Sequence, residues 1–340
     1  MNALAMLVSL AVLIGSAVPA PSAADRQRAQ TYIDEGTALF DRHKWAAAEA
    51  AFTKAIQADP TSAAAYTWRG DTRDSAGDPA GALVDYASAI KADPAFQYAY
   101  ATKCDTEREV KQYGAALRDC DKAIQLDKSD AYAYRMLGRL QIATGDYRSA
   151  ANSLGKAAAH DNIDPLSYAY RCEALDQLEK YSAALDDCNR ALALDPGNHT
   201  GVFYRAIVYR DLGRYDDSIG DWTQYLGLAS ATDISSAHYN RGLDYVDVKS
   251  YPAAIADFNA YNAMTSSAPD GDGFYELGLA YLGSGDKTNA ARNFKKAQAI
   301  YIRNDDAART RKAQDQLTKL GQGAGPNASP PLPASSPSAG

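Results

Sequence analysis

Little in the 340-residue chain points to catalytic chemistry. Histidine occurs only at His43, His160, His199 and His238, no two of them four apart, and neither HExxH nor CxxC is present. The familiar metal-ligand spacings are therefore missing. There is no GxxxxGK loop to cradle a phosphate and no GxSxG elbow to expose a nucleophile. Neither a metal nor a cofactor is expected. Positive charge is also short: 35 Lys and Arg against 42 Asp and Glu leave a net charge of -7. Such a chain lacks the field that draws proteins to phosphate backbones, so no nucleic-acid partner is expected. Phe and Trp are few, 7 and 3, whereas Tyr reaches 23.

Long apolar runs are nearly absent. The one exception, Leu4 to Ile14, lies in residues 1–24, which carry no charge and end in Ser22-Ala23-Ala24. That pattern reads as a secretory signal cut after Ala24, although no Lys or Arg precedes the apolar run. An uncleaved anchor is the weaker alternative, and the mature chain is expected to hold no membrane span. At the other end, residues 321–340 contain five of the 14 prolines and no charge. A segment so poor in buriable surface reads as a disordered tail.

Between these ends one pattern recurs every 34 residues. Ala48, Phe52, Ala55 and Pro60 return as Ala82, Tyr86, Ala89 and Pro94, and the register continues to Ala184, Cys188, Ala191 and Pro196. A small residue precedes each set: Gly36, Gly70, Cys104, Gly138, Cys172, Ala206, Gly242 and Gly278. Repeats start near residues 29, 63, 97, 131, 165, 199, 235 and 271, the sixth being two residues longer. Each reads as two amphipathic helices joined by a tight turn, with breakers such as Gly77-Asp78-Pro79 and Gly145-Asp146 between them. Residues 304–320 read as a capping helix.

The repeat resembles the tetratricopeptide repeat. Phe274-x-x-Leu277-Gly278-x-x-Tyr281 followed by Ala290-x-x-x-Phe294 follows that family's pattern nearly letter for letter, and the likeness runs from residue 29 to about 303. It implies an all-α fold, a right-handed α-solenoid of about eight helix-turn-helix repeats over residues 29–303.

Comparison among the repeats adds two pairings. Position 7 is basic in five repeats (Arg69, Lys103, Arg171, Arg205, Arg241), and position 23 is Asp in the same five (Asp85, Asp119, Asp187, Asp221, Asp257). An ion pair between the two helices of one repeat accounts for the match. Cys104 and Cys120, like Cys172 and Cys188, occupy positions 8 and 24 of one repeat. Antiparallel helices turning near position 16 bring these to one level, so the disulfides expected are Cys104–Cys120 and Cys172–Cys188. Four buried thiols are the alternative. Disulfides imply an oxidising compartment.

In the tetratricopeptide family, positions 2, 5, 6, 9 and 12 of the first helix line a concave groove. Here they carry Trp68, Tyr98, Tyr132, Tyr170, Phe203, Tyr204, Tyr239 and Tyr275. Arg135, Arg139 and Arg210 add positive points among Asp71, Asp105, Glu173 and Asp176, and Asn240 is the only Asn at such a site. Rigid amphipathic aromatics suit binding anchors. The basic clamp by which one subclass holds a C-terminal carboxylate is not reproduced, since Asp71 and Asp105 stand at position 9. The expectation is a non-enzymatic scaffold that binds a protein or peptide, placed in the periplasm or else secreted. Two alternatives stay open: a glycan or small ligand held on the aromatics, and an enzyme with an unrecognised site.

Overall fold

The computed structural model describes residues 20–228, 233–269 and 271–321. The expected signal run (up to residue 19) and nearly all of the tail lie outside them. Within these residues there are seventeen α-helices and no strand. Eight pairs of helices are followed by one more: α1 (Ala23–Phe40) and α2 (Trp45–Ala58), α3 (Ala63–Ser75) and α4 (Pro79–Ala92), α5 (Gln97–Glu109) and α6 (Tyr113–Leu126), α7 (Ala131–Ala143) and α8 (Tyr147–His160), α9 (Pro165–Asp176) and α10 (Tyr181–Leu194), α11 (His199–Asp211) and α12 (Tyr215–Leu226), α13 (Ile234–Asp247) and α14 (Tyr251–Met264), α15 (Asp272–Gly283) and α16 (Lys287–Arg303), then α17 (Ala307–Lys319). The chain divides after Leu140 into two compact parts.

The turns share one backbone requirement. Position 15 of all eight repeats has a positive φ: glycine at Gly77, Gly145, Gly213 and Gly285, but His43, Lys111, Glu179 and Lys249 in the other four. A left-handed residue ends the first helix and lets the second reverse direction within a few residues. Helix starts are capped locally, as where the Asp78 carboxylate accepts from the Gly81 amide and Pro79 takes the first helical position. At the N-terminal end, Ser22 and Asp25 form a reciprocal capping box on α1. The processing point expected after Ala24 falls inside the first turn of that helix, so a cut there would remove the Ser22 cap.

Two contacts sixteen residues apart join the helices of a repeat. The first is packing at positions 8 and 24. A Cβ added to Gly70 would stand 2.5 Å from the Tyr86 ring, and one added to Gly278 would stand 2.6 Å from Phe294. Gly36 with Phe52 and Gly242 with Phe258 repeat this arrangement. Where both positions are Cys, the sulfurs lie at disulfide distance: 2.02 Å for Cys104 and Cys120, 2.11 Å for Cys172 and Cys188, with Cα atoms 5.4 and 5.5 Å apart.

The second contact is the ion pair at positions 7 and 23. Arg69, Arg171, Arg205 and Arg241 each grip their Asp with two N–H donors at 2.5–2.9 Å. Lys103 bonds Asp119 in the same way through its single ammonium. Asp85, Asp187, Asp221 and Asp257 are buried. A desolvated carboxylate is costly unless it is paired, and the planar fork of Arg supplies two charge-assisted bonds at once.

The tyrosines at position 4 of the first five repeats divide: Tyr100 is buried in the core, whereas Tyr66 and Tyr168 sit at its edge. Tyr66 and Tyr168 are half-buried, with the guanidinium of Arg69 or Arg171 5.8 and 5.5 Å from the ring centroid. Their packing partner is the stem and charge of the ion-pair arginine. At the C-terminal end, α17 covers α16 through Ala313 and Leu317.

The packing at positions 8 and 24 can be tested directly. Gly278→Ala gains about 1 kcal/mol of helix propensity but meets the Phe294 ring, and overpacking of this kind costs about 1–3 kcal/mol. The expected outcome is a lower thermal midpoint. Gly278→Ala combined with Phe294→Leu, which reopens the space, is expected to recover part of that loss. A Gly278→Ala chain as stable as the parent would refute the close-approach reading.

Candidate functional site

The N-terminal part brings three of the expected anchors together. Trp68, Tyr98 and Tyr132 project from α3, α5 and α7 into one cavity of about 330 Å³, joined there by Phe40, Asp71, Asp74, Tyr86 and Asp105. All but Tyr86 stand at groove positions 2, 6, 9 or 12 of successive first helices. The rings brace one another. Trp68 lies 5.7 Å from Phe40 and 6.1 Å from Phe52, and Tyr98 lies 5.3 Å from Tyr132.

Asp71 is the centre of this cavity. Its carboxylate accepts from the Tyr86 hydroxyl at 2.8 Å and from the Tyr98 hydroxyl at 3.2 Å. Removal from water pushes its pKa up from the model-peptide value of 3.8 to about 7, against the pull of those two phenols. The phenols are in turn harder to ionise, through burial and the neighbouring carboxylate. Asp74 accepts from the Thr106 hydroxyl at 3.1 Å, and burial together with Glu109 raises its pKa as well. The third carboxylate is different. Asp105 bonds Arg108 at 2.8 Å and Arg139 at 2.5 Å.

The C-terminal part holds a second cavity, of about 240 Å³, lined by Tyr170, Phe203, Tyr204, His199, Thr200, Tyr225 and Asp233. Phe203 is fixed edge-on against Tyr204 at 5.5 Å and against the buried Trp222 at 5.0 Å.

The remaining expected anchors are placed otherwise. Tyr275 is only 3% exposed, packs at a tilt against Phe294 at 5.4 Å and lies under α17, where Lys312 covers its ring and Gln316 reaches its hydroxyl. The capping helix occupies the face that other repeats leave open, so Tyr275 is a core residue. Tyr239 packs between Phe258 and Tyr261 at 5.9 and 5.0 Å and lines neither cavity. Asn240 turns back on its own helix and donates to the Ser236 carbonyl. Arg135 lies over the Tyr132 ring at 5.1 Å, and Arg139 is held by Asp105. His238, in the position-4 slot, has Nδ1 2.7 Å from Asp257. Among the described residues, no three His, Cys, Asp or Glu side chains converge as a metal site would need.

Sequence reading passed over Tyr86 and Asp74. Tyr86 sits at position 24, a packing slot filled elsewhere by Phe52, Leu154, Trp222, Phe258 and Phe294. A hydroxyl in that apolar slot was the available signal, because a buried phenol needs a partner.

The raised pKa of Asp71 has a consequence for stability. The folded chain keeps a proton that the unfolded chain loses between about pH 4 and 7, so stability falls as pH rises through that window. The groups facing Asp71 are Asp74 on its own helix, Tyr86 on α4, Tyr98 and Asp105 on α5, and Tyr132 on α7. Asp71→Asn removes the share of this slope that Asp71 contributes. Its thermal midpoint is expected to match the parent near pH 4 and to exceed it by a few degrees at pH 8. A gap independent of pH would contradict the assignment.

Comparison with known proteins places this geometry. A family model described as "Tetratricopeptide repeat" matches residues 33–96, 135–199 and 172–231. No curated protein matches the sequence. Among solved structures, a chain of the APC/C hetero-tetramer Cut9-Hcn1 is similar with a TM-score of 0.68 at 17% identity, over 85% of this chain but 55% of that one. Pseudomonas aeruginosa pilF is similar with a TM-score of 0.53 at 16% identity, over 67% of this chain and 99% of its own. A tetratricopeptide repeat protein from Parabacteroides merdae reaches 0.50 at 17%, over 75% and 97%. At such identities the likeness speaks for the fold alone. Repeats of this family generally mediate protein–protein interactions, and such scaffolds are generally non-enzymatic. With its 34-residue period, its paired helices and these matches, the chain is an all-α repeat solenoid of the tetratricopeptide repeat family.

Proposed function

We propose that the chain is a non-catalytic scaffold that binds a partner polypeptide on the first-helix face of its repeats, outside the cytoplasm. The observation that carries this reading is the cavity of about 330 Å³ walled by Phe40, Trp68, Tyr98 and Tyr132. Binding energy concentrates where rigid aromatics line a desolvated pocket. The cavity among Tyr170, Phe203 and Tyr204 offers a second purchase on the same class of ligand.

Location outside the cytoplasm is supported by the two cysteine pairs at disulfide distance and by the charge-free apolar run Leu4 to Ile14. No helix among the described residues is long and apolar enough to cross a membrane. The periplasm is the compartment proposed, with secretion beyond the cell as the other route. Alkylation without reductant, followed by intact mass, tests this for the chain exported by its own leader. No labelled cysteine is expected, and four labelled thiols would overturn it. Each bond closes a loop of about 16 residues, worth about 3 kcal/mol, so reductant is expected to lower the thermal midpoint.

Partner binding is tested by capture from envelope extract with the parent chain and two variants. Trp68→Ala with Tyr98→Ala empties one aromatic wall, and Tyr170→Ala with Tyr204→Ala empties the other. Retention of a protein partner is expected to fall about tenfold or more in at least one, the effect of removing hot-spot anchors. Undiminished protein capture by both would move the site off this face. Capture of purified glycan in place of protein, sensitive to the same substitutions, would replace the reading with glycan binding.

A further inference from the structure

We propose that the cavity between α3, α5 and α7 selects a cationic side chain, Lys or Arg, of the bound polypeptide. This rests on the reading that the first-helix face takes a polypeptide, and it adds which residue type enters. Four rings, Phe40, Trp68, Tyr98 and Tyr132, form the walls, and the carboxylates of Asp71 and Asp74 stand among them. The partners of those two carboxylates are hydroxyls: Tyr86 and Tyr98 for Asp71, Thr106 for Asp74. Asp105, at the same cavity, differs in having Arg108 and Arg139 as counter-ions.

The chemistry of a fitting ligand follows. At pH 8, where Asp71 as well as Asp74 is ionised, an anionic group would meet repulsion from both. A neutral apolar group would bury two carboxylates further with no counter-charge. An alkylammonium or guanidinium group answers both features: it makes charge-assisted bonds to the carboxylates and lies against ring faces. The chain already uses this contact within itself, since Arg135 lies 5.1 Å from the Tyr132 centroid and Arg214 lies 4.5 Å from that of Tyr209. A volume of about 330 Å³ suits one long side chain. The walls come from consecutive first helices, so an extended backbone can run past the cavity while one side chain enters. That geometry favours a polypeptide side chain over a free polyamine.

Calorimetric titration of the full chain at pH 8 tests this. The probe is a capped Gly/Ser dodecapeptide with three central lysines; the comparisons are its acetyl-lysine form, its glutamate form and spermidine. The lysine peptide is expected to bind, and the acetylated and glutamate forms to bind at least about tenfold more weakly, a difference of about 1.4 kcal/mol. Asp71→Asn with Asp74→Asn is expected to weaken the lysine peptide about tenfold or more. Trp68→Leu, which removes a wall and leaves the charge intact, is expected to do the same. Val84→Ala, an exposed position on α4 that lines neither cavity, is expected to change nothing. Circular dichroism melts confirm that each variant is folded.

Equal binding of the lysine and acetyl-lysine peptides would overturn the proposal. So would equal binding of the lysine peptide by the parent and the Asp71→Asn/Asp74→Asn variant. Spermidine binding as tightly as the peptide would reassign the cavity to a small polyamine. The scaffold reading is judged separately. A protein partner captured equally by the parent and the Asp71→Asn/Asp74→Asn variant sinks the cation pocket and leaves the scaffold standing.

Discussion

The fold depends on how closely the two helices of a repeat approach at positions 8 and 24. With Gly70 at one end of that contact, the Tyr86 ring lies where a side chain on α3 would otherwise be; Gly278 and Phe294 repeat the arrangement. Cysteine at both positions reaches the same separation with two sulfur atoms in place of a ring, as Cα distances of 5.4 and 5.5 Å show. One register further, the Arg and Asp of positions 7 and 23 meet across the same pair of helices. Close packing excludes water and buries the carboxylate; the fork of Arg then compensates it. The small residue, the large ring and the ion pair are thus one constraint expressed three times.

That constraint also builds the candidate site. The approach of α3 and α4 at Gly70 carries the Tyr86 ring through the repeat until its hydroxyl meets Asp71. In the other repeats with an aromatic at position 24, Phe or Trp ends without a hydroxyl. A slot that serves packing elsewhere here delivers a hydrogen bond to the open face. The bond holds a carboxylate among aromatic rings, where water is scarce and its charged form is disfavoured. Asp105, one repeat on at the same position, instead meets two arginines. Equivalent positions therefore carry different electrostatic states, according to what the neighbouring helices supply.

Much of this was legible in the sequence because the repeat compares the chain with itself. The 34-residue period located the helices, with first helices beginning at Ala63, Gln97, Ala131, Pro165 and His199. The agreement of positions 7 and 23 predicted pairs that the structure contains, and the Cys spacing predicted the two sulfur contacts. Individual anchors were less legible. Trp68, Tyr98 and Tyr132 converge, but Tyr275 shares a groove position and is buried, because α17 lies over it. Position in a repeat says which way a side chain faces; it does not say what covers that face. Position 4 shows the same limit: Tyr100 is buried, whereas cationic side chains hold Tyr66 and Tyr168 at the edge.

The sequence by itself determined the repeat, the helix pairs, the register between them and the shortage of ordinary catalytic motifs. Each is a local or periodic property, set by contacts within about 34 residues of chain. The tertiary structure decided which carboxylates have counter-ions, which aromatics share a cavity and which are covered. These depend on side chains from three or four helices meeting at one point, such as Trp68, Tyr86, Tyr98 and Tyr132 around Asp71. The physical reason is that desolvation and pairing act through space, and the residues responsible are up to two repeats apart along the chain.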